Sequence, residues 1–108
     1  EETRNLITLN ELKQMKQTAI LINAARGGIV NEADLYTALK ENIIWAAGSD
    51  VFETEPISSN HPLLSLHNFL GLPHIGSATI ETRQAMMQCN VDSLIAAAKG
   101  ETIPYRVV

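Results

Sequence analysis

The chain has a single cysteine, Cys89, among its 108 residues. No disulfide can form within it, and a reducing compartment, the cytoplasm, suits it. Positive charge is scarce. Against 12 Asp and Glu stand 8 Lys and Arg, for a formal net charge of −4. The basic residues form no stripe, so nucleic acid is not an expected partner. No apolar run approaches the roughly 20 residues of a membrane span, and no signal peptide is visible, so no membrane partner is expected. No cysteine–histidine cluster has ligand spacing, so no metal site is expected. Internal repeats and low-complexity segments are lacking too. What remains is 45% hydrophobic residues, ordinary for one small globular domain. The chain opens Glu1-Glu2-Thr3-Arg4-Asn5 without an initiator methionine. An excised piece of a longer protein and a processed N-terminus both fit that start.

The segment Ile20-Leu21-Ile22-Asn23-Ala24-Ala25-Arg26-Gly27-Gly28-Ile29-Val30-Asn31 organises the rest. Its short apolar run, Ile20 to Ile22, suits a strand covered on both faces in a parallel sheet. Gly27 and Gly28 allow the backbone to turn sharply or to approach a ligand closely. Arg26 stands where the strand ends, and ligands of open α/β sheets bind outside the carboxyl ends of the strands. A surface arginine before a turn is an equal reading of this stretch alone.

The flanking residues extend the pattern. Asn10 can cap a short helix over Glu11 to Lys16, and the first strand covers Ala19 to Asn23. Asn31 caps a second helix, with Glu32 and Asp34 at its positive end and Leu35, Ala38 and Leu39 on its apolar face. That helix should end near Asn42. A second strand spans Ile43 to Val51, where Ala46-Ala47-Gly48 leaves room for close packing. Pro56 favours an extended Glu55, Ser58 to Pro62 read as loop, and Leu63 to Leu66 as one helical turn. The third strand is Phe69 to Leu72. Ser77 or Thr79 caps a long last helix with an apolar stripe of Met87, Val91, Leu94, Ile95 and Ala98. Gly100 closes it.

The order strand–helix–strand–strand–helix implies an α/β fold with parallel strands. Arg26, Asp50 with Glu55, and His74 then follow the three strands and converge on one sheet edge. A histidine can exchange a proton at physiological pH. A carboxylate beside it would raise its pKa and fix its ring. An arginine can grip a substrate carboxylate with two parallel hydrogen bonds. The set suits reduction of a carbonyl next to a carboxylate.

Three segments carry a family resemblance: Asn23 to Asn31, Asp50 to Pro56, and Pro73-His74-Ile75-Gly76-Ser77-Ala78-Thr79. They resemble the C-terminal signatures of the D-isomer-specific 2-hydroxyacid dehydrogenases. Thr82-Arg83 and Asn60-His61-Pro62-Leu63-Leu64 bring the chain nearest to that family's glyoxylate/hydroxypyruvate reductase branch. The resemblance implies the second half of a Rossmann-like NAD(P)-binding domain with a long C-terminal helix. On that reading residues 1–108 are the C-terminal part of the domain. The family's glycine-rich G-x-G-x-x-G turn, which seats a pyrophosphate on a helix N-terminus, has no match here, and its substrate domain is also missing.

The resemblance also implies roles. His74 would protonate the substrate carbonyl oxygen, Glu55 would pair with His74, and Arg26 would bind the substrate carboxylate. Ala24, Asp50 and Gly76 would meet the cofactor, NADP or NAD, with Arg26 and His74 bordering it. The substrate would be a small 2-oxo or 2-hydroxy acid, and the full-length protein a homodimer. Ser49 departs from the pattern, since the family usually places an apolar residue there. His61 and His67 read as solvated loop residues, Cys89 as inert, and Met86 and Met87 as packing. A non-catalytic, corepressor-like interaction protein on the same fold is the alternative function. In isolation, the 108 residues would be catalytically inactive and prone to self-association.

Overall fold

A computed structural model describes residues 2–107. The chain divides into two compact units, one running up to Ile75 and the other from Gly76 onward.

The first unit is built on a three-stranded parallel sheet in the order β1-β2-β3, with β1 at Ile20–Asn23, β2 at Ala46–Ser49 and β3 at Phe69–Gly71. Ile20 pairs with Ala46 and Asn23 with Ser49, while Ala47 pairs with Phe69 and Ser49 with Gly71. All three strands therefore point their carboxyl ends at one edge. Helix α2, Glu32–Lys40, makes the crossover from β1 to β2, and its cap is the expected one. Asn31 Oδ1 accepts from the Asp34 amide at 3.0 Å. The core is Leu12, Val30, Leu35, Ala38, Leu39, Ile44, Ala47 and Leu63, with Leu21 and Phe69 packed against it. Each large aliphatic side chain buried there contributes about 1.5–3 kcal/mol.

Several expectations need correction. Helix α1 is Leu9–Leu12, not Glu11 to Lys16, and Thr8 caps it in place of Asn10. The reason is a capping box. Thr8 Oγ1 accepts from the Asn10 amide, and the Glu11 carboxylate reaches back to the Thr8 amide at 2.8 Å. The Thr8 hydroxyl, which donates to Glu11 Oε2 at 2.6 Å, and then the Thr8 amide lower the pKa of Glu11. The second strand is shorter than Ile43 to Val51, because its ladder with β1 begins only at Ala46. Asn42 turns in the left-handed region, with φ of 54°, and Ile44 is fully buried as a plug before the ladder starts. The first strand is not covered on both faces. Leu21 faces the core, but Ile20 and Ile22 are 52% and 69% exposed, as is Leu70 of β3 at 63%. The room at Gly48 is taken by a cross-strand neighbour, since a β-carbon there would lie 3.2 Å from Ile22 Cδ1.

The second unit holds α3, Ile80–Lys99. Of the two cap candidates Thr79 is the one used, its Oγ1 accepting from the Thr82 amide at 3.2 Å, and Gly100 closes the helix at φ 70°. The expected stripe is present as a helix face but is not packed: Met87, Val91, Leu94 and Ile95 are all exposed, as is Met86. Among the described residues no helix is long and apolar enough to cross a membrane.

Candidate active site

The carboxyl ends of the three strands each carry a built turn. At the end of β1, Asn23 shapes the loop with both ends of its amide. Its Oδ1 accepts from the Ala25 amide at 3.2 Å, and its Nδ2 donates to the Arg26 carbonyl at 3.1 Å. Such side-chain mimicry of a backbone turn is what short amides do well. Gly28 then adopts φ of 79°. Gly27 needs its missing side chain for another reason: a β-carbon there would collide with the backbone carbonyl of Phe52. The turn after β1 is thus pressed against the chain leaving β2.

At the end of β2, the Ser49 hydroxyl donates to the Val51 carbonyl at 2.7 Å, so this buried polar residue is satisfied. Asp50 is also buried, and its Oδ1 accepts from the Ile75 amide at 2.8 Å. That bond ties the end of β2 to the turn after β3. Within that turn His74 sits in the left-handed region, with φ of 55°. A non-glycine residue persists there only when its surroundings hold it, and the bond to its neighbour Ile75 is one such restraint.

His74 Nδ1 lies 2.7 Å from Glu55 Oε2. The other carboxylate oxygen, Oε1, accepts from the Phe52 amide at 2.9 Å. These two bonds, that from His74 foremost, hold the Glu55 pKa below its ordinary value; burial and the Asp50 charge oppose them. The His74 side chain is 47% exposed, open to a reactant. Phe52, Pro56, Ile57 and Pro73 line a hollow of about 420 Å³ beside the pair. Because Nδ1 is engaged by the carboxylate, Nε2 is the nitrogen left to face a substrate. A ring oriented by a carboxylate through one nitrogen, with an apolar hollow beside it, is an acid–base device.

The other candidate residues are placed less closely. Arg26 follows β1 as expected, but its Nη1 donates to the carbonyl of Ala25 at 2.7 Å. It lines a separate hollow of about 240 Å³ with Thr3, Arg4 and the two glycines. The structure therefore joins His74 to Glu55, and joins Asp50 to the turn that carries His74, but does not bring the Arg26 guanidinium to them. Ala24 is exposed beside Arg26. Gly76 opens the second unit. Among the described residues, no group of three or more His, Cys, Asp and Glu side chains could hold a metal ion.

Two residues went unrecognised in the sequence. His61 is not a solvated loop histidine. Its Nε2 lies 3.0 Å from Glu32 Oε2, and its Nδ1 accepts from the Leu63 amide. Glu32 does more than favour a helix start, since its Oε1 accepts from the Glu53 amide at 2.7 Å. The spacing N-H-P, a histidine capping a proline-led turn, was the available signal for His61.

Residues 1–76 match the D-isomer specific 2-hydroxyacid dehydrogenase, NAD binding domain. Glyoxylate/hydroxypyruvate reductase B of Serratia proteamaculans is 54% identical over 100 residues, which are 93% of this chain and 31% of that protein. The crystal structure of the TT0316 protein from Thermus thermophilus superposes with a TM-score of 0.89 at 41% identity, over 99% of this chain and 34% of that one. The NADPH-dependent glyoxylate/hydroxypyruvate reductase of Sinorhizobium meliloti, solved with NADP and malonate, gives 0.81 at 42% identity, over 88% and 30% of the two chains. The chain thus spans about a third of the length of the relatives it matches.

Proposed function

Since this chain belongs to the D-isomer specific 2-hydroxyacid dehydrogenases through their NAD-binding domain, we propose that it supplies the proton-transfer machinery of an oxidoreductase that reduces a small 2-oxo acid with NADPH or NADH. The observation that carries this reading is the 2.7 Å bond between His74 and Glu55 beside an open hollow. Glyoxylate and hydroxypyruvate are the substrates proposed, because the similar proteins of Serratia and Sinorhizobium are reductases of that name. No relative described above supports the alternative of a corepressor-like interaction protein.

The residues present suit only one end of the cofactor. The sheet edge offers the exposed residues Ala24 and Arg26 and the fixed carboxylate of Asp50, which fit a polar, planar group such as nicotinamide. Residues 1–108 hold no G-x-G-x-x-G turn to seat a pyrophosphate, so this chain by itself is proposed to be inactive. On this reading Ala24, Arg26, Asp50 and His74 border the nicotinamide. When bound, the cofactor supplies the hydride.

The chain's own residues would do the rest. Glu55 holds the His74 ring through Nδ1, so that the proton on Nε2 faces the carbonyl oxygen of the 2-oxo acid. As negative charge grows on that oxygen, Nε2 gives up its proton and the hydroxyl forms. The carboxylate of Glu55 stabilises the charged imidazolium beforehand. Arg26 would swing from the Ala25 carbonyl to pair with the substrate carboxylate, a bidentate match of fork to fork. The intact protein is proposed to work in the cytoplasm as a homodimer. Exposed apolar side chains such as Ile20, Ile22 and Leu94 support its assembly against further protein. The test is turnover of hydroxypyruvate and glyoxylate by the intact protein with each nicotinamide cofactor. Turnover is expected, and its absence with both would remove the assignment.

A further inference from the structure

The Phe52–Glu53 peptide sits between two fixed objects. On one side its carbonyl presses against Gly27, where no β-carbon could fit. On the other its N–H donates to Glu32 Oε1 at 2.7 Å. One peptide earlier, the Phe52 N–H donates to Glu55 Oε1 at 2.9 Å. The Glu55 carboxylate that orients His74 is therefore anchored on a segment whose own orientation is set by Glu32.

Glu32 is itself held. Its second oxygen, Oε2, lies 3.0 Å from His61 Nε2. The Leu63 amide donates to His61 Nδ1 at 3.3 Å, so a neutral ring carries its proton on Nε2, aimed at Glu32. The ring of His61 also packs against Phe52, centroid to centroid 5.9 Å. The Glu32 and His61 side chains are 20% and 21% exposed, which limits competition from water. Both carboxylate oxygens of Glu32 are thus used, one on the peptide and one on the histidine that braces it.

We propose that Glu32, braced by His61, is a positioning residue for the Glu55–His74 pair. It acts through the Phe52–Glu53 peptide, and His61 is its support. The inference rests on the proposed role of Glu55 and His74 in proton transfer, and it assigns a second glutamate–histidine pair to that machinery.

The test is a double-mutant cycle on kcat in the intact protein, with Glu32→Ala, Glu55→Gln and the two combined. A residue acting through Glu55 loses its effect once Glu55 can no longer serve. Glu32→Ala is expected to lower kcat about tenfold in the parent, since small misplacement of a catalytic group is costly. In the Glu55→Gln background the further loss is expected to be under about twofold. An equal loss in both backgrounds would show a merely structural role and overturn the inference, as would an unchanged kcat in Glu32→Ala. Glu32→Gln keeps the size of the side chain and one acceptor oxygen. Run in the same cycle it is expected to show the same non-additivity at a loss of about threefold, and it answers the question should the alanine variant fail to fold. If Glu55→Gln alone leaves kcat unchanged, the functional reading falls and takes this inference with it. If Glu55→Gln lowers kcat but the two losses add, only the inference falls.

Discussion

His74 Nδ1 and Glu55 Oε2 meet at 2.7 Å across 19 residues of sequence, one from the turn after β3 and the other from the loop after β2. The bond assigns the two histidine nitrogens to different tasks. Replacing Glu55 by glutamine keeps the shape but removes the charge that steadies an imidazolium. We expect kcat of the intact protein to fall about 10²-fold, with the cofactor Kd changed little. Steady-state kinetics and a binding titration of the same variant check both halves of that statement.

The pH dependence has a definite sign. The pKa of Glu55 is lowered, chiefly by its bond to His74 and then by the Phe52 amide. The stabilisation these bonds give is fully present above the unfolded glutamate value. It is lost as pH falls through the lowered folded value. Carbon NMR of the Glu55 carboxyl should show a midpoint below that of an unfolded peptide, moving up in His74→Ala. A midpoint at or above the ordinary value would contradict the pairing.

Two glycines should respond differently to alanine. At Gly27 the new β-carbon would strike the Phe52 carbonyl, which is backbone and cannot step aside cheaply. The cost should be about 3 kcal/mol. At Gly100 nothing lies within 4 Å and only the positive φ of 70° is opposed, for about 1 kcal/mol. Urea unfolding of the two variants ranks them, and equal costs would refute the close approach at Gly27.

Asp50 should matter for stability as well as for the site. Asp50→Ala takes away the acceptor of the Ile75 amide and slackens the turn that holds His74 at positive φ. A loss of about 1–3 kcal/mol is expected. Hydrogen exchange of the Ile75 amide should quicken in that variant, whereas unchanged protection would show that the turn is held by other means.

Local chemistry made much of this fold legible in sequence. Asn31 announces α2 because a short side-chain acceptor followed by acidic residues satisfies free amides at a helix start. Gly100 announces the end of α3 because it tolerates the left-handed backbone. The paired glycines after β1 read as a turn or as room for a ligand; the turn is there, but the close neighbour at Gly27 is the chain's own Phe52 carbonyl. Parallel strands send every carboxyl end to one edge, so the strand order alone brought Arg26, Asp50, Glu55 and His74 to that edge; the pairing of Glu55 with His74 came from the family resemblance, and the 2.7 Å bond agrees with it.

What sequence concealed depends on neighbours far along the chain. The run Ile20 to Ile22 looks the same whether one face of a sheet is covered or two, and here only Leu21 is turned to the core. His61 sits among loop residues, and its partner Glu32 lies 29 positions earlier. Arg26 was placed correctly on the edge, but position alone does not set where a long side chain rests, and it rests on its own backbone. The α1 boundary is written in the sequence, since Thr8 and Glu11 stand three residues apart as a capping box, but Asn10 is an equally good cap by residue type.

The central claim is that His74 supplies the proton to a 2-oxo acid during hydride transfer. The direct measurement is nicotinamide oxidation by the intact protein and its His74→Ala variant, with hydroxypyruvate as substrate. The account predicts turnover by the parent and a fall of about 10²- to 10⁴-fold in the variant, with cofactor binding retained. A variant that turns over as fast as the parent would contradict it.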